Sequence, residues 1–476
     1  MSERMRVEKD ALGTLSLSND LYYGIQTERA RMNFPITGEV IAEHSTLLRS
    51  LAMIKKAAAI THKDLGEMNA EEADSISEAA NEVMTGKLDD HFPLDMFVGG
   101  GGTPVNMNMN EVLANRANEI LTGEKGYSKI TPNNHVNMSQ STNDVMPSAM
   151  RLAVYYKLTN LIHVIADMEE VLERKSEEYK DIVKISRTCL QDAVPITLGQ
   201  EYSGYLSYFK RYKEHVKQVA EDCLIIPLGA TAIGTELGAK PGYVDQVYDH
   251  LSKIVGVKVE KDPNFFDGIQ NMDIFERVSN VLKGVASGLS KMGSNFRLLS
   301  SGPRAGVGEI TLPALQPGSS IMPGKINPVM ADVANQVYAQ VKGNDTSIVV
   351  LSEGSEPDIG MFAPVIMKWL NDSFNVIEKS FPLFIKNCIE GIKVNEDICK
   401  THAESSGSLS TIISVLYGYK EGSRVAAYAY MNDLTVKEAA VKLEIMTAHE
   451  AEKLLDPLTL TNPKLSKQIL FGEGVK

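Results

Sequence analysis

From Pro147 to Lys180 apolar residues recur at Leu152, Tyr155, Leu158, Leu161, Ile162, Ile165, Met168 and Leu172. Steps of three and four line one face of an α-helix. The Glu/Lys stretch that follows reads as a solvated helix face rather than a binding patch. Similar long patterns run from Gly199 to Cys223, Met272 to Leu299, Pro328 to Leu351 and Pro364 to Ile385. Rods of roughly 22–34 residues are ~33–50 Å long at the helical rise, well above the globular average. Asn327-Pro328 reads as an N-cap followed by proline at the first helical position. Pro382 predicts a kink or stop near the end of the last rod. Five such rods imply an elongated bundle. Alone, that shape exposes much of its apolar stripe, so packing against other subunits is expected.

Segments rich in Gly, Pro and Asn interrupt the rods at 99–110, 131–147, 227–242 and 302–327, and such loops carry chemistry more often than helices do. No internal repeat or low-complexity tract stands out. The rod pattern stops near Glu396, where a small C-terminal unit is expected to begin.

The chain has 476 residues, 43% hydrophobic and 23% charged, the mix of a soluble globular protein with two or three domains. Its formal charge of -13 argues against nucleic-acid and anionic-membrane partners, which need basic surfaces. A local basic pocket remains compatible with an acidic substrate. Cys189, Cys223, Cys388 and Cys399 show no C-x-x-C spacing and are expected to be reduced thiols. Residues 1–30 lack the apolar core of a signal peptide, and no apolar run is long enough to span a membrane. The expected location is the cytoplasm.

Three loops hold candidate chemistry. Gly99-Gly100-Gly101-Gly102-Thr103 offers backbone N–H groups to an anion, although a plain flexible turn explains it equally well. The run lacks a P-loop lysine and follows no clear strand, which argues against nucleotide binding. Ser139-Gln140-Ser141-Thr142-Asn143-Asp144 is an unbroken row of hydrogen-bonding side chains, and a helix N-cap accounts for only one or two of them. Gly318-Ser319-Ser320-Ile321-Met322-Pro323-Gly324-Lys325-Ile326-Asn327-Pro328 joins two serines, a lysine and an asparagine with glycine and proline punctuation. No G-x-S-x-G elbow surrounds Ser319, so a hydrolase triad is not indicated. A lone His135 is more often a structural hydrogen bonder than a catalyst.

Ser319–Pro328 is similar to the signature loop of the aspartase/fumarase superfamily, and the resemblance covers nearly the whole chain. It includes Tyr22-Tyr23-Gly24-Ile25-Gln26-Thr27, Asn33-Phe34-Pro35-Ile36, Gly102-Thr103 and Asn106-Met107-Asn108. It continues through His135-Val136-Asn137, Ser141–Asp144, Leu190-Gln191-Asp192-Ala193, Gly229-Ala230-Thr231-Ala232 and Ser301-Gly302-Pro303-Arg304. Within the superfamily these segments look most like the aspartate ammonia-lyases. The resemblance implies a mainly α, three-domain fold with a long central helical bundle, here divided at 1–143, 144–396 and 397–476. It also implies a homotetramer whose active sites are each built from three subunits, with no organic cofactor, and no metal-ligand spacing in the sequence points to a metal.

The implied reaction removes a proton from the carbon beside the one bearing the leaving group, giving a carbanion held by its acidifying substituent. Carried over, Ser319 is the expected base, its oxyanion stabilised by loop N–H groups with Lys325 nearby. Thr103, Ser141, Thr142 and Ser320 are expected to hydrogen-bond the carbanion-stabilising group. Lys325 and Asn327 hold the α-carboxylate, and Asn143, Thr188 and Cys189 line the leaving-group side. Met322 of the same loop joins the substrate-binding set, and the loop is expected to close over the substrate.

Several positions depart from the aspartases. Cys189 stands where relatives usually have histidine or glutamine. Glu236 and Gly238 replace glycine and asparagine, Gly360 replaces asparagine, and Ile413-Ser414-Val415 replaces Leu-Asn-Pro. Gly238 and Gly360 are expected to make room, while Glu236, Glu356 and Asp358 add negative charge if they face the site. A thiol is a weak hydrogen-bonding group, poorly suited to grip a leaving ammonium, whereas a quaternary ammonium needs only carboxylates or aromatic faces. These changes resemble the ergothionase-type lyases and suggest ergothioneine going to thiourocanate plus trimethylamine. The alternatives are an aspartate ammonia-lyase, a fumarase-type hydratase, and a non-catalytic structural protein like the lyase-derived lens proteins.

Overall fold

In the computed structural model, which describes residues 5–472, the three-to-four periodicity becomes helix throughout the middle of the chain. A hairpin of β1 (Met5–Asp10) and β2 (Gly13–Ser18) precedes α1 (Ile25–Asn33), α2 (Ser45–Asp64), α3 (Ala70–Met84), α4 (Thr103–Thr122) and the long α5 (Thr142–Glu178). A second hairpin, β3 (Val183–Thr188) and β4 (Gln191–Thr197), leads into α6 (Leu198–Asp222), α7 (Tyr243–Val255) and α8 (Phe265–Gln270). Next come α9 (Asp273–Leu299), α10 (Val329–Glu353), α11 (Ala363–Phe384) and α12 (Glu396–Ser405), with short helices between Ser410 and Phe471. The sheets among the described residues have two strands each. The fold is mainly α. None of the described helices is long and apolar enough to cross a membrane.

The five expected rods are present, with instructive differences at their ends. α5 starts five residues before Pro147, which lies inside it. The polar run ahead of the proline is therefore the first helical turn itself. α10 starts at Val329, and Asn327 does not cap it: its amide donates to Gly318 O at 2.8 Å and closes the preceding loop. Beyond Pro382, α11 continues to Phe384 and passes into a π-helical turn over Ile385–Ile389. The rod pattern names no helix before residue 147, yet α1 to α4 lie there. In α4 the interior positions include Asn106, Asn108, Asn110, Asn115 and Asn118, and buried amides erase the apolar stripe that periodicity detects.

The chain forms two compact units. The first takes residues through His163, with Lys213–Gly284 and Ala339–Glu378; the second takes Val164–Tyr212, Val285–Tyr338 and residues from Lys379 onward. In the first, polar bonds tie the long helices together. Asp345 on α10 accepts from Ser279 at 2.8 Å and Lys283 at 2.7 Å, and Asn344 donates to Ser373 on α11 at 3.0 Å. In the second, aromatic rings do this work. Tyr202 of α6 stacks on Phe296 of α9, which stacks on Phe384 of α11, with centroids 5.8 Å and 6.2 Å apart.

Two of the resemblance motifs are scaffold. Glu111, buried on α4, accepts from the backbone N–H groups of Gly24, Gln26 and Thr27 at 2.9, 2.9 and 3.1 Å and from the Thr27 hydroxyl at 2.6 Å. A carboxylate at a helix N-terminus satisfies orphan donors and complements the helix dipole. Gly24 has no alternative, because a β-carbon there would lie 2.3 Å from the Tyr127 hydroxyl and 2.8 Å from Glu111. Asp95 holds the segment after Asn33 in the same way, accepting from Ile36, Thr37 and Gly38 N–H at 3.2, 2.6 and 2.9 Å. Glu111→Gln keeps the shape but must turn an amide NH₂ toward at least one of the four donors. It should cost about 2–4 kcal/mol, read as a lower urea midpoint with the helical circular-dichroism signal retained in buffer.

Candidate functional site

In the first unit the start of α5 is held by one carboxylate. Ser141 Oγ accepts from Asn143 N at 3.3 Å, and Asp144 Oδ1 accepts from Ser141 N at 2.8 Å, a reciprocal cap. The other Asp144 oxygen accepts from Gly229 N at 2.8 Å and Thr231 N at 3.1 Å, while Asn143 donates to Ala232 O at 2.6 Å. The Gly229–Ala232 motif is thus bolted to Ser141–Asn143. Beneath them lies a buried polar knot. Asn137 Oδ1 receives Lys55 Nζ at 2.9 Å and the amides of Asn106 and Asn110 at 3.2 Å each, and Asn106 also donates to Thr142 Oγ1 at 3.2 Å. Gly100, Gly101 and Gly102 all have positive φ, at 80°, 63° and 89°. They turn the chain into α4, whose first residue is the exposed Thr103.

The second unit holds two further pieces. Thr188 ends β3, and Cys189-Leu190 form the two-residue tip of the β3–β4 hairpin with φ of 52° and 61°. That is the type I′ geometry normally given to Asn-Gly, so a β-carbon on both tip residues stores backbone strain. Cys189 is exposed and free. Behind the tip, Arg187 donates to the buried Glu309 at 2.7 Å, with His402 3.1 Å and Lys184 3.3 Å from the same carboxylate. Burial pushes Glu309 up, but these partners together outweigh it and hold the carboxyl below its usual range.

In the Ser319 loop, Gly318 N donates to Lys325 O at 2.8 Å and the Asn327 amide grips Gly318 O from the other side. Any β-carbon on Gly318 would lie 2.6 Å from Lys325 O. Ser319 Oγ accepts from the backbone N–H groups of Met322 at 3.0 Å and Ile321 at 3.2 Å. Donors aimed at a hydroxyl oxygen stabilise its deprotonated form. Ser319, Met322 and Lys325 line a cavity of about 410 Å³, and Ser320, Met322 and Lys325 are exposed.

Within one chain, then, Thr103, Ser141, Thr142 and Asn143 belong to the first unit, and Thr188, Cys189, Ser319, Ser320, Met322, Lys325 and Asn327 to the second. Among the described residues no group of three or more His, Cys, Asp or Glu side chains has metal-holding geometry.

Known proteins match this layout from end to end. A family model described as Lyase matches residues 13–343, and one described as Fumarase C C-terminus matches residues 409–462. An aspartate ammonia-lyase of Bacillus sp is 42% identical over 467 residues, 98% of this chain and 99% of that one. The chain belongs to the aspartase/fumarase superfamily of lyases. Hydratases of the superfamily are also similar: a class II fumarate hydratase of Neisseria meningitidis is 38% identical over 461 residues, 96% of this chain and 99% of that one. Among solved structures, a fumarate lyase:delta crystallin from Brucella melitensis matches with a TM-score of 0.94 at 39% identity, covering 97% of this chain and all of that one. A class II fumarase from Schistosoma mansoni matches at 0.91 and 30% identity, covering 97% of this chain and all of that one.

Some of the departures from aspartase-like superfamily members have local explanations. Gly360 does not open space: a β-carbon there would lie 1.9 Å from Met272 Cε, so the thioether fills the volume an asparagine side chain would take. Gly238 has φ +87° with nothing within 4 Å of a β-carbon, which makes its turn geometry a sufficient reason for glycine. Glu236 is exposed and pairs with Lys261 at 3.2 Å. Glu356 is exposed and its backbone bridges to Ile359. Neither bonds Thr103, Ser141, Thr142 or Asn143 among the described residues.

Sequence reading passed over Lys55, Asn110 and the role of Asp144. The available signals were a lysine inside the apolar run of α2 and the Thr103, Asn106, Asn110 spacing along one face of α4. Burial pushes Lys55 down to about 7 and Asp144 up to about 6. An unfolded lysine keeps its proton to about pH 10, so between about pH 7 and 10 the unfolded state holds more protons here and stability rises with pH. Lys55→Met removes that term. The melting temperature of the wild type minus that of the variant should therefore climb by several degrees from pH 7 to 9.5 and stay level from pH 5 to 6. A level difference throughout would show that Lys55 does not titrate in this window.

Proposed function

We propose that the protein is a C–N lyase that eliminates an amine from an amino-acid-like substrate, with Ser319 as base. The observation that carries this is the Ser319 oxygen facing two backbone N–H groups in a loop that also holds Lys325 and Asn327. Ser319 takes the proton from the carbon beside the one bearing nitrogen. The C–H electrons become the new double bond, and the amine departs with the C–N pair. Thr103, Ser141, Thr142 and Ser320 hydrogen-bond the group on which charge accumulates, with Lys325 and Asn327 on the α-carboxylate. These residues lie in both units, and a cytoplasmic homotetramer with sites shared among subunits is part of the proposal.

Aspartate is the first substrate reading. Identity to the aspartate ammonia-lyase at 42% exceeds that to the hydratase at 38%. Two premises for a larger betaine are also weakened, since Met272 fills the space at Gly360 and Lys261 occupies Glu236. Cys189, exposed at a strained tip, favours the second reading, ergothioneine releasing trimethylamine. Aspartate, fumarate with water, argininosuccinate and ergothioneine should be assayed by ultraviolet absorbance of the conjugated acid. Turnover of aspartate or ergothioneine is expected; hydration of fumarate alone would make the enzyme a hydratase, and inertness toward all four would favour a structural protein. Ser319→Ala should lower kcat by about 10³-fold with the oligomer unchanged by light scattering. Retained activity would mean that another group is the base.

A further inference from the structure

The buried knot beneath Thr142 has a determined polarity. Asn137 Nδ2 donates to Gln140 O at 3.1 Å, and a backbone carbonyl can only accept, so Asn137 must turn its oxygen the other way. Lys55 Nζ at 2.9 Å fits that orientation. Facing an oxygen, Asn106 must present its NH₂, and its two hydrogens go to Asn137 Oδ1 and Thr142 Oγ1, each at 3.2 Å. Asn106 is 1% exposed, and among the described residues its own buried oxygen has no partner. An unsatisfied buried oxygen is costly, and reversing the amide would set oxygen against oxygen.

Thr142, 8% exposed, therefore accepts from below. A threonine hydroxyl has a single proton, and among the described residues no acceptor takes it. We propose that Asn106 is a positioning residue: through its bond to Thr142 it holds that hydroxyl as a donor aimed at the anionic group of the substrate. The inference rests on the reading that Thr142 binds that group. It adds a reason for the buried amides of α4, whose Asn106 lies one turn beyond Thr103 on the same face. Held in advance, a donor needs no reorientation as charge develops, so its loss falls on kcat more than on KM.

The test is a double-mutant cycle on the intact enzyme, using aspartate, or ergothioneine if that is the substrate turned over, with fumarate affinity by calorimetry in parallel. Thr142→Val should lower kcat/KM about 10²-fold, while Thr142→Ser stays within about threefold of wild type. Asn106→Leu, which frees the hydroxyl to rotate, should cost about 10-fold in kcat. Asn106→Asp, which offers it an inward acceptor, should cost about as much as Thr142→Val. In the Thr142→Val background either Asn106 change should add less than about twofold. Equal losses in both backgrounds would reduce Asn106 to a structural part and overturn the inference while leaving the Thr142 reading intact. Full activity and fumarate affinity in Thr142→Val would remove the reading and the inference with it. Thermal melts screen for folding, and Asn106→Ser carries the cycle if the bulkier changes do not fold.

Discussion

In the first unit the start of α5 depends on one buried carboxylate. Asp144 accepts three backbone N–H groups, from Ser141, Gly229 and Thr231, and no apolar residue could replace those bonds. Its burial is expensive enough to lift its own pKa toward neutrality, and the Lys55 charge only partly compensates. A segment that spends stability in this way has its loops held firmly. The return is geometric: Ser141, Thr142 and Asn143 leave one helix terminus in set directions.

The second unit solves a similar problem with ion pairs. The tip at Cys189-Leu190 has a conformation that neither residue favours, so something must hold the strands beneath it. Arg187 and Asp192 face each other in the second pair below the tip, and Arg187 is drawn inward to Glu309. Glu309 stays ionised because Arg187, Lys184 and His402 surround it. Removing Arg187 would leave a buried carboxylate undercompensated, which is costlier than never having built the pair.

Sequence periodicity made the five rods legible because each has a wide apolar face and a polar one. It failed for α4, where Asn106, Asn110 and Asn115 face inward, and it misplaced the start of α5 because Pro147 looks like a first-turn residue. Proline tolerated inside a helix can be recognised only by what precedes it, and Ser141–Asp144 is a cap whose evidence lies in the distant Gly229 and Thr231. The Ser319 loop was legible as a motif. Its internal geometry was not, since Asn327 reads as a helix cap from its neighbours and turns out to close the loop. Gly360 was misread for the same reason: absence of a side chain suggests room, and only the packing shows Met272 in that volume.

These cases bear on how far family membership can carry a substrate assignment. Gly24 with Glu111, Asp95 with the segment after Asn33, and Asp144 with Gly229–Ala232 answer demands of this backbone rather than of a substrate. Similarity across such motifs therefore measures the fold. On the proposed reading, substrate choice lies with side chains that the scaffold presents but does not use, such as the exposed Cys189, Met322 and Lys325. Glu236 and Gly360 lose much of their weight on this criterion, since an ion pair and a packed thioether already explain them. Cys189 keeps its weight, because among the described residues no contact asks for a thiol in a left-handed turn where Asn or Gly would relieve the strain.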